Sequence, residues 1–156
     1  MLEFLVLCLL SIAVAEISGY LVHRLMHIFD IGAHAEHHRL YPPDDYQDAE
    51  YRIPTSGSSK MQDLSYTAPG VVWLLAVWFV AGLLAVLVSA AVILLWARLT
   101  QYVHNAFHIR DHWLERYEWF RRWSDLHLVH HEEPKNFGII TLFLDKVFRT
   151  HRNASV

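Results

Sequence analysis

Ten histidines, in four short patterns, have the spacing of metal ligands. His23 and His27 are four residues apart, as are His104 and His108. His34, His37 and His38 form an HxxHH pattern, which His127, His130 and His131 repeat. On a helix, positions i, i+3 and i+4 share a face, so each pattern presents its imidazoles together. Neutral imidazole is a common ligand for zinc, iron, copper and nickel. Ten imidazoles exceed the need of one first-row ion and suit two ions with about five each. Positions would remain for water, dioxygen or substrate. One HxxxH pair occurs by chance on many helices, whereas four patterned groups in one chain point to a dinuclear centre.

Other polar residues stand close by. Metal-bound histidines usually donate their second N–H to a carboxylate or carbonyl. Glu16 and Tyr20 lie seven and three residues before His23, on the same helical face. Glu16 falls in an apolar stretch, where an acid is either functional or an interfacial side chain reaching water. Tyr20 reads as packing. Asp125 precedes the last pattern and Asp111 precedes His112. Either could orient a ligand, or be a solvated surface acid. His112 continues the 104/108 series but is expected to support or line the site, not to bind metal. His151, near the tail, is expected in solvent.

The elements that must position these ligands are membrane-like. Residues 4–22 and 71–97 are apolar runs, each about long enough to span a bilayer as a helix. The first could be a signal peptide, but no Lys or Arg precedes it and the apolar pattern continues into the histidines. A fraction of 54% hydrophobic residues, six Trp and seven Tyr fit a membrane protein with interfacial aromatics. The net charge of −3 and the lack of a basic patch exclude a nucleic-acid partner. The one cysteine, Cys8, excludes a disulfide framework, a thiolate zinc site and an iron–sulfur motif.

All thirteen Lys and Arg lie within residues 24–60 or 98–152. The positive-inside rule then puts both polar regions in the cytoplasm and the N-terminus outside. The stretch between them must cross twice or not at all. The sequence therefore predicts a single all-α domain over residues 1–156. It has a membrane helix over about 3–22, a hairpin or re-entrant pair over about 66–102 turning near Gly82, and a cytoplasmic helical cap holding the dinuclear site. Pro, Gly, Ser and Asp mark residues 39–68 as mostly loop.

The combined motifs resemble the fatty acid hydroxylase and sterol desaturase superfamily of integral-membrane diiron oxygenases, which includes carotene hydroxylases. Glu16, Tyr20, His23, Arg24 and His27 are similar to its first histidine box. HAEHHRLYPP, from His34, is similar to the second, and HNAFH, from His104, to the intermediate pair. HLVHH and the tail through Asn136, Phe137, Gly138, Asp145 and Thr150 are similar to the last box. Leu144 and Arg149 depart from the Trp and Gly usual there. The resemblance implies that the ten histidines hold two iron ions, with zinc possible in purified protein. It adds Asn136 and Asp145 as residues that support the ligands. It further implies oxidation of a C–H bond in an apolar lipid, by hydroxylation or desaturation, with dioxygen and two electrons. The electrons would come from a separate donor protein, since the chain shows no motif for such a cofactor.

Three alternatives compete. A zinc-dependent membrane hydrolase could use the same ligands. A metal transporter would need polar residues through the membrane depth, where the second apolar run offers only Ser89. A di-haem cytochrome would place single histidines on facing helices, which HxxHH does not suit.

Overall fold

The computed structural model describes residues 2–29, 32–55 and 59–154. Within them the secondary structure is helical, apart from one isolated bridge between Asp48 and Ile109. Helix α1 is Leu2–Phe29, α2 is Gly32–Leu40, α3 is Ser59–Phe107, α4 is Glu118–Glu132 and α5 is Phe143–Val147. Short 3-10 turns lie at Pro43–Asp45 and Trp113–Arg116. This is the all-α architecture expected from the sequence.

Leu2–Phe29 and Ala68–Phe107 are long and apolar enough to cross a membrane. Their most apolar windows are only 22% and 6% buried, so neither is the hidden core helix of a soluble protein. Phe79 and Val80, for example, stand 84% and 89% exposed. Both helices run on past the apolar stretches. α1 stays helical through His23 and His27, and α3 through His104, so these ligand pairs ride on the helix ends.

Helix α3 breaks at Gly82, whose φ of 76° and ψ of −175° are non-helical. Glycine reaches such a positive φ without the Cβ clash that other residues meet. Ser11 of α1 shows what the break does. Its hydroxyl accepts from Trp73 Nε1 at 3.2 Å and lies 3.1 Å from Ser89 Oγ. In one straight helix residues 73 and 89 would be about 24 Å apart. The chain therefore doubles back at Gly82, and Ser11 sits between the two arms.

The second arm runs beside α1 in the same direction. Ser11 meets Ser89, and one and a half turns on, Glu16 accepts from Trp96 Nε1 at 2.7 Å. Their histidine-bearing ends thus arrive together. A cap made of α2, the loop 41–55 and α4 lies across them. Gln47 Nε2 donates to the Phe107 carbonyl at 3.1 Å, and Arg110 N–H to the Asp48 carbonyl at 2.8 Å, stitching the loop to the end of α3. Tyr46, Val103, Ala106, Phe107, Leu114 and Phe120 form the core beneath the cap. Burying side chains of this kind contributes about 1.5–3 kcal/mol each.

Candidate metal centre

The four histidine patterns converge at the junction of helix ends and cap, and they regroup there. His23, His27, His34, His38 and His130 form one group able to hold a metal ion. His37, His104, His108 and His127 form a second. Ligand atoms within each group lie within 4.8 Å of one another. Each group draws on both halves of the chain. Neighbours in sequence part company: His37 and His38 go to different groups, as do His127 and His130. His131 stands between the groups, its ring 4.1 Å from that of His38 and 4.8 Å from that of His108.

Backbone carbonyls fix four of the rings. His23 Nδ1 lies 2.7 Å from the Phe137 carbonyl, and His130 Nδ1 2.7 Å from that of Lys135. His108 Nδ1 lies 3.0 Å from the Tyr46 carbonyl, and His131 Nδ1 2.7 Å from that of Tyr41. A carbonyl only accepts, so each Nδ1 carries the proton and each Nε2 keeps its lone pair. This is the arrangement that orients metal-bound imidazoles. Correspondingly, His23 Nε2 and His131 Nε2 are buried without a hydrogen-bond partner, as are His37 Nε2, His38 Nε2 and His127 Nδ1. Buried polar atoms are rarely left so, and four such Nε2 atoms at one centre call for a cation.

The spacings agree. His27 Nε2 lies 3.0 Å from His130 Nε2 and 2.9 Å from His34 Nε2. His108 Nε2 lies 3.2 Å from His127 Nε2. Two nitrogens at about 2.1 Å from one ion, at about a right angle, would be about 3.0 Å apart. Burial and then neighbouring imidazoles push His38, His108 and His131 down to about 2. His34, His37, His127 and His130 fall well below the ordinary imidazole range for the same causes. The cage resists protonation and offers lone pairs instead.

A model of the family described as fatty acid hydroxylase matches residues 8–150. The chain belongs to the fatty acid hydroxylase family. The match takes in both groups and the helices that carry them. No curated protein and no solved structure matches the chain.

Within that family frame, the tail after α4 supports the cage. Asp145 is wholly buried. Its Oδ1 accepts the Phe137 N–H at 2.9 Å and the Thr150 hydroxyl at 2.7 Å, and its Oδ2 accepts the Gly138 N–H at 2.8 Å. The same Phe137 peptide segment offers its carbonyl to His23. Asn136, at φ 52°, turns the chain so that the carbonyls on either side reach His130 and His23. Its Nδ2 donates to the Leu126 and Arg152 carbonyls, binding the tail to α4. Tyr20 packs as expected, stacking on Phe148 at 5.4 Å, with its hydroxyl 2.9 Å from Thr150 Oγ1.

Gly138 leaves no room for a side chain. A Cβ there would lie 2.0 Å from the Thr141 carbonyl oxygen and 2.9 Å from Asp145 Oδ2. Gly138→Ala is expected to push this loop off α1 and the Phe137 carbonyl away from His23. The cost should be about 1–3 kcal/mol of stability and about tenfold in metal affinity. Melting and metal titration of the variant check both values.

The remaining candidates stand outside both groups. Glu16 touches no histidine; it holds Trp96 Nε1 and, at 2.8 Å, the Thr141 hydroxyl, so it joins α1 to the second arm and to the tail. Asp125 faces outward on α4, because the inward positions beside it are taken by Leu126 and His127. Asp111 is exposed, at φ 57° in the turn after α3. His112 caps the Trp113–Arg116 turn by accepting the Leu114 N–H at 3.3 Å. His151 is half-buried, not solvated, and lies 3.2 Å from Asn136 Oδ1.

Arg149, where the resemblance leads one to expect Gly, has φ 57° just past the end of α5. That position terminates the helix in the left-handed region, which favours glycine. Arg149→Gly is expected to raise stability by up to about 1 kcal/mol without altering metal content. A thermal melt showing no gain, or a loss, would refute this account of the departure.

Proposed function

We propose that the chain is a membrane-bound diiron oxygenase that hydroxylates or desaturates a C–H bond of an apolar lipid, such as a fatty acyl chain, sterol or carotenoid. The observation that carries this reading is the set of buried, unpartnered imidazole nitrogens at the shared end of two apolar helices. Family membership supports the reaction class. The ten histidines would hold two iron ions, His131 completing the set from between the groups. When bound, iron supplies the activation of dioxygen and the two-electron oxidation of the lipid.

The chain's own residues do the rest. The carbonyls of Phe137, Lys135, Tyr46 and Tyr41 hold the imidazole protons on Nδ1 and aim Nε2 inward. Tyr41 and Phe107 pack apolar surface against His108 and His127, and Phe137 packs against His23 and His130. The apolar helices hold the site at the membrane edge, where a lipid arrives laterally. The distribution of Lys and Arg supports an integral membrane protein with a cytoplasmic site and an external N-terminus. Cysteines introduced at Thr55 and Asn153, in a Cys8→Ser background, should both react only from the cytoplasmic side. Labelling of one from outside would refute this topology.

Mass spectrometry of lipids from cells with and without the protein tests the reaction, together with oxygen consumption by the iron-loaded protein and a chemical reductant. The expected result is a lipid that gains one oxygen or loses two hydrogens, with oxygen consumed. Lipid cleavage by water without oxygen uptake, supported by zinc, would replace this reading with the hydrolase.

A further inference from the structure

Among the described residues, two cavities reach the histidine cage at the same group. One, of about 360 Å³, is lined by His27, His34, His38 and His130, with the exposed Arg39 and Glu132 at its rim. The other, of about 70 Å³, runs along α1 from Glu16 to His23, closed by Thr100 and the tail from Phe137 to Leu144. The first meets the group from the charged, polar side. The second meets it from the side of the apolar helices.

His37, His104, His108 and His127 line neither cavity. Three of them, His37, His108 and His127, are buried by packing, and His104 is partly exposed. Tyr41, with no exposed surface, stacks on His108 at 4.1 Å, and Phe107 lies 5.2 Å from His127. The Tyr46 carbonyl holds His108, while the Tyr46 ring belongs to the core beneath the cap. His131, which lines the larger cavity, forms the partition between that cavity and this second group.

We propose that the two groups are unequal. His23, His27, His34, His38 and His130 hold an exchangeable ion that keeps an open position for a small exogenous ligand. His37, His104, His108 and His127 hold a locked ion that is part of the folded core. The physical ground is access. An ion with a solvent path leaves by exchanging ligands one at a time, whereas an ion walled by packed rings leaves only when the packing opens. Catalytic metal sites keep an open position and structural ones are closed. The proposal rests on the dinuclear reading of the cage.

The test uses the full chain in lipid nanodiscs, loaded with Co²⁺, a divalent ion accepted by nitrogen sites. Excess EDTA should remove cobalt in two steps of one ion each, the first at least about tenfold faster than the second. The first step should lower the melting temperature but leave the chain folded, and the second should coincide with loss of the fold. Azide should alter the cobalt spectrum of the intact protein, and that response should disappear once the fast ion has gone. His38→Ala should lose the fast step and the azide response while retaining the slow ion. If that variant does not fold, the two wild-type measurements still decide. Two ions leaving in a single phase, or an azide response that survives loss of the first ion, would overturn the inequality while leaving the dinuclear centre in place. A total of one ion per chain would overturn the dinuclear reading and this proposal with it.

Discussion

His130→Ala is expected to lower metal content, reduce thermal stability and abolish lipid oxidation together. His130 is 1% exposed and is the one member of its group contributed by the second half of the chain. Its Nε2 faces His27 Nε2, and its ring lies 4.5 Å from that of His23 and 5.0 Å from that of His38. Removing it disconnects α4 from an ion otherwise held by α1 and α2. An ion present at a hundred times its dissociation constant stabilises the fold by about 2.7 kcal/mol, and losing the site forfeits that amount. Loss of a residue that merely orients a ligand costs about ten- to a hundredfold in affinity or activity. Loss of the ligand itself should exceed that range. His151→Ala is the control: it lies outside both groups and should leave metal content and activity unchanged. Elemental analysis, melting and product formation measured on the two variants check this. If His130→Ala kept its metals and activity while His151→Ala lost them, the ligand assignment would be wrong.

Asp145→Ala is expected to destabilise the protein strongly, although Asp145 touches no histidine. The change leaves the Phe137 N–H, the Gly138 N–H and the Thr150 hydroxyl without their common acceptor in a buried site. Each orphaned donor costs about 1–3 kcal/mol, so a total loss of about 3 kcal/mol or more follows. Because Phe137 carries the carbonyl that orients His23, metal affinity should fall by about ten- to a hundredfold as well. Asp145→Asn should recover part of the stability, since its amide oxygen still accepts. Equal losses in the alanine and asparagine variants would show that the negative charge, and not the hydrogen bonding, is what the loop requires.

Much of this site was legible in the sequence because helical spacing is a local property. His23 and His27, or His127 and His131, share a face whatever the tertiary structure does. The break at Gly82 was legible too, since a glycine in the middle of a long apolar run is where a reversal costs least. The division of ligands was not. An HxxHH pattern gives no sign that His37 faces one group and His38 the other, because that depends on how α2 is rolled between α1 and α3. The partners of Glu16 were not legible for a related reason. Its spacing from His23 permits contact, but Trp96 and Thr141, remote in sequence, take the carboxylate. The carbonyls of Phe137, Lys135, Tyr46 and Tyr41 could not be found from sequence at all, because every residue has a carbonyl and only the fold aims it. Arg149 left a trace, as a departure from the expected glycine, and its positive φ explains that expectation.

The central claim is that this cage binds two ions, and metal stoichiometry tests it most directly. The purified chain, stripped and then titrated separately with iron, cobalt and zinc, should saturate at two ions per chain for each metal. Zinc lies above iron in affinity for such ligands and can replace it during purification, so the count matters more than the element. Saturation at two ions per chain, falling to one in His38→Ala, is the result the account predicts. Saturation at one ion per chain across all three metals would contradict it.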